Sequence, residues 1–253
     1  KHNIAVIAGD GIGKEVMPEG VRALDAAARK FGIDLHFDYF DWSCDNYAKH
    51  GYWMPPDWRE KIGGHEAIFF GATGWPAIVP DHKSLWDSLI NFRRVFDQYV
   101  NLRPVRLMPG IPCPLVGRKV GDIDYYVVRE NTEGLFASFN GGGSVKNEVA
   151  TDTMVITRKG TERVARYAFD LARRRNGRPL DGRTMVTCVD KANVFRSLAF
   201  FRRVFDEVAE EYPSVTVGYD HIDAACIHFV ERPEKYDVVV TDHAYGACRN
   251  ALD

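Results

Sequence analysis

Three arginines, a lysine and an aspartate stand where an α/β sequence would place its chemistry. Arg93, Arg103 and Arg129 fall at the ends of helix and strand patterns, beside polar, glycine- or proline-bearing sequence. Three guanidinium groups suit a substrate with two carboxylates, because each can meet a carboxylate through two parallel hydrogen bonds. Surface ion pairs are the plain alternative. Lys191 lies in Asp190-Lys191-Ala192-Asn193, directly after an apolar strand pattern. A desolvated lysine there has a lowered pKa and serves as a base, whereas a solvated one is only a surface charge. Asp223, in His221-Ile222-Asp223, can offer oxygen to a divalent cation or cap the helix that follows. The turn Gly9-Asp10-Gly11-Ile12-Gly13 can turn backbone N–H groups toward a phosphate. It lacks the third glycine of the dinucleotide fingerprint, which favours a structural turn; Asp38 and Asp41 are candidate ribose-binding acids in the other case.

These residues need elements to hold them, and the pattern alternates strand and helix, which indicates an α/β fold. Strands are predicted at Ile4–Ala8, Leu35–Tyr39, Ala67–Phe70, Gln98–Arg103, Tyr125–Arg129, Met154–Thr157, Thr184–Val189, Val215–Ile222 and Val238–Thr241. Helices are predicted from about Lys14, over Ser84–Val95, Thr161–Arg174, Leu198–Glu211 and Ala224–Glu231, each keeping apolar residues on one face. Pro104, Pro109, Pro112 and Pro114 punctuate one stretch and mark a domain crossover. The glycine run within 140–144 should be a flexible turn or arm tip. No internal repeat or low-complexity tract occurs.

Composition narrows the class. The 253 residues carry a formal charge of −2, with 45% hydrophobic and 27% charged residues. That excludes a disordered chain, and it gives no electrostatic footprint for nucleic acid or an anionic membrane. The five cysteines are widely spaced and form no C-x-x-C, which argues against a disulfide framework or a structural zinc site. No apolar run is long enough for a membrane span. The N-terminal sequence opens on a strand without a signal-peptide layout, so a cytoplasmic location is expected.

Taken together, several motifs carry a resemblance. Ile4 to Val16, Phe92-Arg93-Arg94 through Leu102-Arg103-Pro104, Val128-Arg129-Glu130-Asn131-Thr132-Glu133-Gly134 and Asp190-Lys191-Ala192-Asn193 resemble, in order, segments of the isocitrate/isopropylmalate dehydrogenase family. Phe96 to Pro114 and Val79-Pro80-Asp81-His82 are most similar to its tartrate/D-malate branch. The resemblance implies NAD-dependent oxidative decarboxylation of a 2-hydroxy dicarboxylic acid of D-malate, tartrate or 3-isopropylmalate type, with Mn²⁺ or Mg²⁺. By the same resemblance, Arg93, Arg103 and Arg129 grip the carboxylates, Lys191 is the general base and Asp223 a metal ligand. Ala72, Thr73 and Asn193 match cofactor-binding positions. The site is shared between two copies, so a homodimer is implied.

The implied fold has two domains: residues 1–100 as part of a larger, cofactor-side domain, 101–241 as a smaller one with the dimer interface and arm, and 242–253 returning to the first. The C-terminal part of the larger domain, with the adenosine-binding loop, is expected to lie outside this sequence. Three positions depart from the family pattern. A proton-donating tyrosine is replaced by Phe136, and two metal-binding aspartates by Ala247 and Ala251. An alternative is therefore a non-catalytic relative with a dicarboxylate-binding cleft; a metal-free reaction in the same cleft is a further one.

Overall fold

The computed structural model describes residues 1–135, 142–146 and 148–250, with the backbone alone for 247–250. The glycine run expected at an arm tip begins among residues outside that range, as do Phe136 and Ala251. The chain divides into two compact units, Lys1–Phe96 and Asp97–Asp253.

The first unit is built on a parallel sheet in the order β2-β1-β3, from strands Leu35–Tyr39, His2–Gly9 and Ala67–Ala72. Strand side chains alternate between faces, so the central β1 serves two cores. Ala5 and Ile7 pack with Trp42, Trp53, Met54, Ile62 and Phe92. Val6 packs with Met17 and Val21 of helix α1, Gly13–Phe31. Helix α1 ends at Gly32, whose φ of 67° and N–H to the Ala28 carbonyl form a left-handed cap. Two short helices follow β2: α2, Cys44–His50, capped by Ser43 Oγ accepting from Asn46 N, and α3, Trp58–Ile62. The helix expected over Ser84–Val95 is broken into α4, Asp81–Ser84, a π turn at Trp86–Ile90, and α5, Asn91–Val95. The π turn lets Ser88 Oγ bond the Ser84 carbonyl at 2.6 Å while Ser84 and Ser88 are both fully buried.

The second unit holds a five-stranded sheet, β4-β5-β10-β8-β9. Its strands are Val100–Arg106, Asp124–Glu130, Val238–Thr241, Met185–Asp190 and Thr216–His221. Only β4 runs antiparallel. Helices α6, Arg158–Arg174, and α7, Arg196–Ala209, cover one face, where Val128, Val186, Cys188, Val238 and Val240 meet Val164, Phe169, Phe201 and Phe205. Helix α8, Ile222–Glu231, covers the other, over Tyr125, Val127, Val189 and Val239. The central strands are buried on both faces, which accounts for their continuous apolar runs. After β10 the chain enters α9, His243–Asn250. No helix among the described residues is long and apolar enough to cross a membrane.

Two strand expectations change. The β4 strand runs on through Pro104, which pairs with Tyr126. Proline is tolerated because β4 is an edge strand, where an N–H can face solvent. No strand covers Met154–Thr157. A short antiparallel hairpin forms instead from β6, Gly143–Val145, and β7, Val149–Thr151, and Val155 makes a single bridge to Gly134.

Close approach of β1 and β3 depends on Gly9, whose φ is 72° and whose added Cβ would lie 1.9 Å from the Ala72 carbonyl oxygen. Gly9→Ala should destabilise the protein by about 3 kcal/mol or more, from strain and overlap together. Urea denaturation checks this, and a loss under about 1 kcal/mol contradicts it.

Candidate functional site

Parallel strands bring their carboxyl ends to one edge of a sheet, and ligands of open α/β sheets bind outside that edge. In the second unit this edge carries Arg129-Glu130 from β5, Asp242-His243 after β10, Asp190-Lys191 from β8, and His221 and Asp223 from β9 and the start of α8.

Asp190 is fully buried and would be costly there unpaired. Arg202 of α7 answers it through two parallel hydrogen bonds, both 2.8 Å, and Ala192 N donates a third at 2.8 Å. The Arg202 guanidinium also lies 5.0 Å over the Tyr219 ring, whose hydroxyl donates to Asp206 at 2.7 Å. The turn that presents Lys191 is thus fixed from both sides. Lys191 Nζ donates to Asp223 Oδ1 at 2.6 Å. That bond holds the Asp223 carboxyl below its ordinary range. Asn193 sits exposed in the same turn.

Arg129 is 5% exposed and donates through Nε to the His243 carbonyl at 2.8 Å. Helix α9 reaches it because residue 246 is glycine: a Cβ there would fall 2.4 Å from Arg129 Cγ. Arg129 pairs with Asn101 across the β4–β5 ladder, so Arg103, two residues on, shares its face as a diagonal neighbour. Arg103 is exposed, and its Nε donates to Asn101 Oδ1 at 3.0 Å. Beneath them lies a buried group of Glu130, Asp242 and His243, with His243 Nδ1 4.0 Å from Glu130 Oε2. Glu130 accepts from the backbone N–H groups of Thr132 and Glu133 and from the Thr132 hydroxyl, and burial still raises its pKa. Asp242 accepts from Ala244 N at 3.1 Å and Tyr245 N at 3.2 Å, and burial pushes it up to about 6.

In the first unit, the ends of β1 and β3 are joined by Asp10, 3% exposed. Its carboxylate accepts from Cys44 N at 2.6 Å, Cys44 Sγ at 3.2 Å, Trp53 Nε1 at 3.1 Å and Gly74 N at 2.9 Å. Burial pushes the Cys44 thiol up to about 11. The glycine turn is therefore a structural knot around a carboxylate. Ala72 closes β3 opposite Gly9, and Thr73 Oγ1 lies 3.0 Å from Ser88 Oγ. Beside them is a cavity of about 470 Å³ walled by Gly11, Ile12, Lys14, Trp75 and Ile78, with Asp45 paired to Lys14 at its rim. Its lining combines the apolar Ile12, Trp75 and Ile78 with the charged Asp10, Lys14, Glu15 and Asp45. Arg93 of α5 is 9% exposed. Asp38 is held by His65 and His36 on the strand surface and, thus engaged, is a poor ribose ligand.

The structure brings Lys191 and Asp223 into contact and sets Arg103 beside Arg129. It places Ala72, Thr73 and Arg93 in the other unit. Among the described residues no three His, Cys, Asp or Glu side chains converge as a metal site requires. Asp223 stands with Lys191 instead, so this chain's described residues do not by themselves fit a divalent cation. Asp10, Asp242 and the Asp190–Arg202 pair escaped the sequence reading. An acid at the end of an apolar strand was the available signal.

Residues 3–248 match the profile of the isocitrate/isopropylmalate dehydrogenase family. The chain is 50% identical over 247 residues to a decarboxylating D-malate dehydrogenase from Escherichia coli, covering 96% of this chain and 67% of that protein. It is 51% identical over 241 residues to a tartrate dehydrogenase/decarboxylase from Pseudomonas putida, covering 94% and 64%. The crystal structure of isocitrate dehydrogenase from Methylococcus capsulatus aligns with all of this chain and 70% of its own at a TM-score of 0.84 and 29% identity. The chain thus spans about two thirds of the length of these relatives.

The buried Asp242 makes stability depend on pH. Its folded pKa of about 6 lies above the ordinary 3.8, so between those values the folded state binds the extra proton and stability falls as pH rises. Asp242→Asn removes the titration. Wild type should gain on the variant by about 3 kcal/mol when pH falls from 7 to below 4. Denaturation midpoints of the two proteins across that range check this; parallel curves contradict it.

Proposed function

The chain belongs to the isocitrate/isopropylmalate dehydrogenase family, and on that premise we propose that it acts in the oxidative decarboxylation of a 2-hydroxy dicarboxylate of D-malate or tartrate type, with NAD as hydride acceptor. The reading is supported by a lysine paired with a carboxylate at the carboxyl edge of the parallel strands, and by two neighbouring arginines on one face of the β4–β5 ladder of the same sheet. Arg103 and Arg129 bind the substrate carboxylates. Lys191, once it has lost a proton, takes the proton of the C2 hydroxyl, and Asp223 holds its ammonium form afterwards. Bound NAD supplies an acceptor for the hydride leaving C2. The oxo acid then loses CO₂, leaving the bond's electron pair as an enolate that takes up a proton.

The cofactor would lie against the cavity of Gly11, Ile12 and Trp75, near Ala72 and Thr73 of the same unit. Mn²⁺ or Mg²⁺ enters no step here, because the described residues assemble no oxygen cage for it. A cytoplasmic setting goes with this reading and with the free thiols of Cys44, Cys113, Cys188 and Cys226.

A homodimer is part of the proposal. In the β6–β7 hairpin, Val145 and Val149 are 60% and 57% exposed among the described residues. An isolated two-stranded hairpin is marginal in water, so a second copy is its natural cover. Val145→Asp with Val149→Asp should convert a dimer to a monomer in sedimentation. A wild-type monomer contradicts the assembly.

The activity is tested by following NADH formation from D-malate and from tartrate with added Mn²⁺. Turnover is expected with at least one of them, and Lys191→Met should lower kcat by about a thousandfold or more while leaving dicarboxylate binding in place. Binding without turnover in the wild type would instead favour the non-catalytic alternative, for which Phe136 speaks.

A further inference from the structure

We propose that this protein carries a second oxyanion site at the other end of the five-stranded sheet, built by Arg106, Arg174 and Arg175, which takes a phosphate- or carboxylate-bearing polyanion. The β5 strand begins at Asp124 and ends at Glu130, so residues around Asp124 lie at the edge opposite Lys191. There Arg106 closes β4 in register with Asp124, and α6 ends at Arg174 and leads into Arg175-Asn176-Gly177. These residues line a cavity of about 300 Å³, large enough for a pyrophosphate or a small tricarboxylate.

The lining is cationic in a chain whose net charge is −2. Arg175 is fixed: its guanidinium lies 4.5 Å over the Tyr126 ring, and it donates to buried Asp237 at 2.7 Å and to Asp124 at 3.0 Å. It therefore forms a rigid wall. Arg106 and Arg174 are not consumed in this way. Arg106 is 65% exposed, and its one ionic neighbour is Asp124, 3.7 Å from Nε. Arg174 donates through Nε to the Asp170 carbonyl at 3.1 Å, the usual service of a cation at a helix carboxyl end. Neither guanidinium has a protein acceptor for its terminal amino groups among the described residues. Two unsatisfied planar donors at the mouth of one cavity, against a fixed third cation, are complementary to an anion with several oxygens. The Asn176 amide adds a neutral partner. Asp124 and Asp237 offset part of the charge and leave a net positive lining, so binding must fade with ionic strength.

Calorimetry on the full 253-residue chain tests this with inorganic pyrophosphate and with citrate, at low and high NaCl. One anion per chain with a submillimolar Kd is expected, weakened by salt. Arg106→Gln and Arg174→Gln should each weaken it about tenfold. Both are changes at the cavity mouth that leave the Arg175–Asp237 pair intact. Tighter pyrophosphate assigns the natural ligand to the phosphates, tighter citrate to the polycarboxylates. Absence of binding by both anions overturns the proposal. So does binding that survives both variants, or that is lost in Arg103→Gln alone, which assigns the anion to the face carrying Arg103.

Discussion

A carboxylate taken out of water at the end of a strand must be answered, or it will hold its proton. Much of this protein's architecture around its candidate sites follows from that constraint. Asp10 draws N–H groups from Cys44, Trp53 and Gly74, tying three separate segments to the end of β1. Asp190 draws Arg202 across from α7 and the backbone of Ala192 from its own turn. Neither acid is there for packing. Each converts a flexible strand exit into a single geometry, and losing the partner of such a pair costs about 3–5 kcal/mol because a buried charge is left behind.

Asp190 and Asp242 show how the answer decides the outcome. Both end buried strands of the same sheet, and both are fully buried. Asp190 has a guanidinium, and the turn after it stays fixed while Lys191 remains partly exposed. Asp242 has two backbone N–H groups and, across from it, another buried acid, Glu130. Burial pushes its pKa up to about 6 against the lowering effect of those N–H groups. Lys191 is paired instead with Asp223, which is two-thirds exposed and still hydrated, so that ion pair is a loose one.

The sequence pattern was readable where one element met one physical requirement. Val238 to Val240 and, apart from Thr187, Met185 to Val189 are apolar because both faces are covered, and α6 and α7 announce one buried stripe each. Elsewhere the decisive partner is remote. Pro104 reads as a terminator, yet β4 continues because its free edge needs no donor there. Met154 to Thr157 is a short β-rich apolar run that reads as a strand, but Thr157 caps α6 through Gly160 N, and among the described residues only Val155 makes a strand-type bridge there. Helix α2 has few apolar residues, and what defines it is Ser43 at its start and the Asp10 contact to Cys44. In the candidate site, residue type and position single out the arginines and Lys191, but not their surroundings. The bond from Lys191 to Asp223 spans 32 residues and depends on β8 and β9 being neighbours, which no local pattern contains.

The positions that depart from the family pattern separate two roles of one helix. Ala247 lies on α9, and its carbon-only side chain offers a cation nothing. Yet α9 still packs on Arg129, because the contact runs through Gly246 and the His243 carbonyl rather than through any acidic side chain. The helix start is likewise set by Asp242, whose oxygens take the N–H groups of Ala244 and Tyr245. The packing of α9 on Arg129 and the start of that helix therefore rest on Gly246, the His243 carbonyl and Asp242, so this contact forms without an acidic residue at position 247.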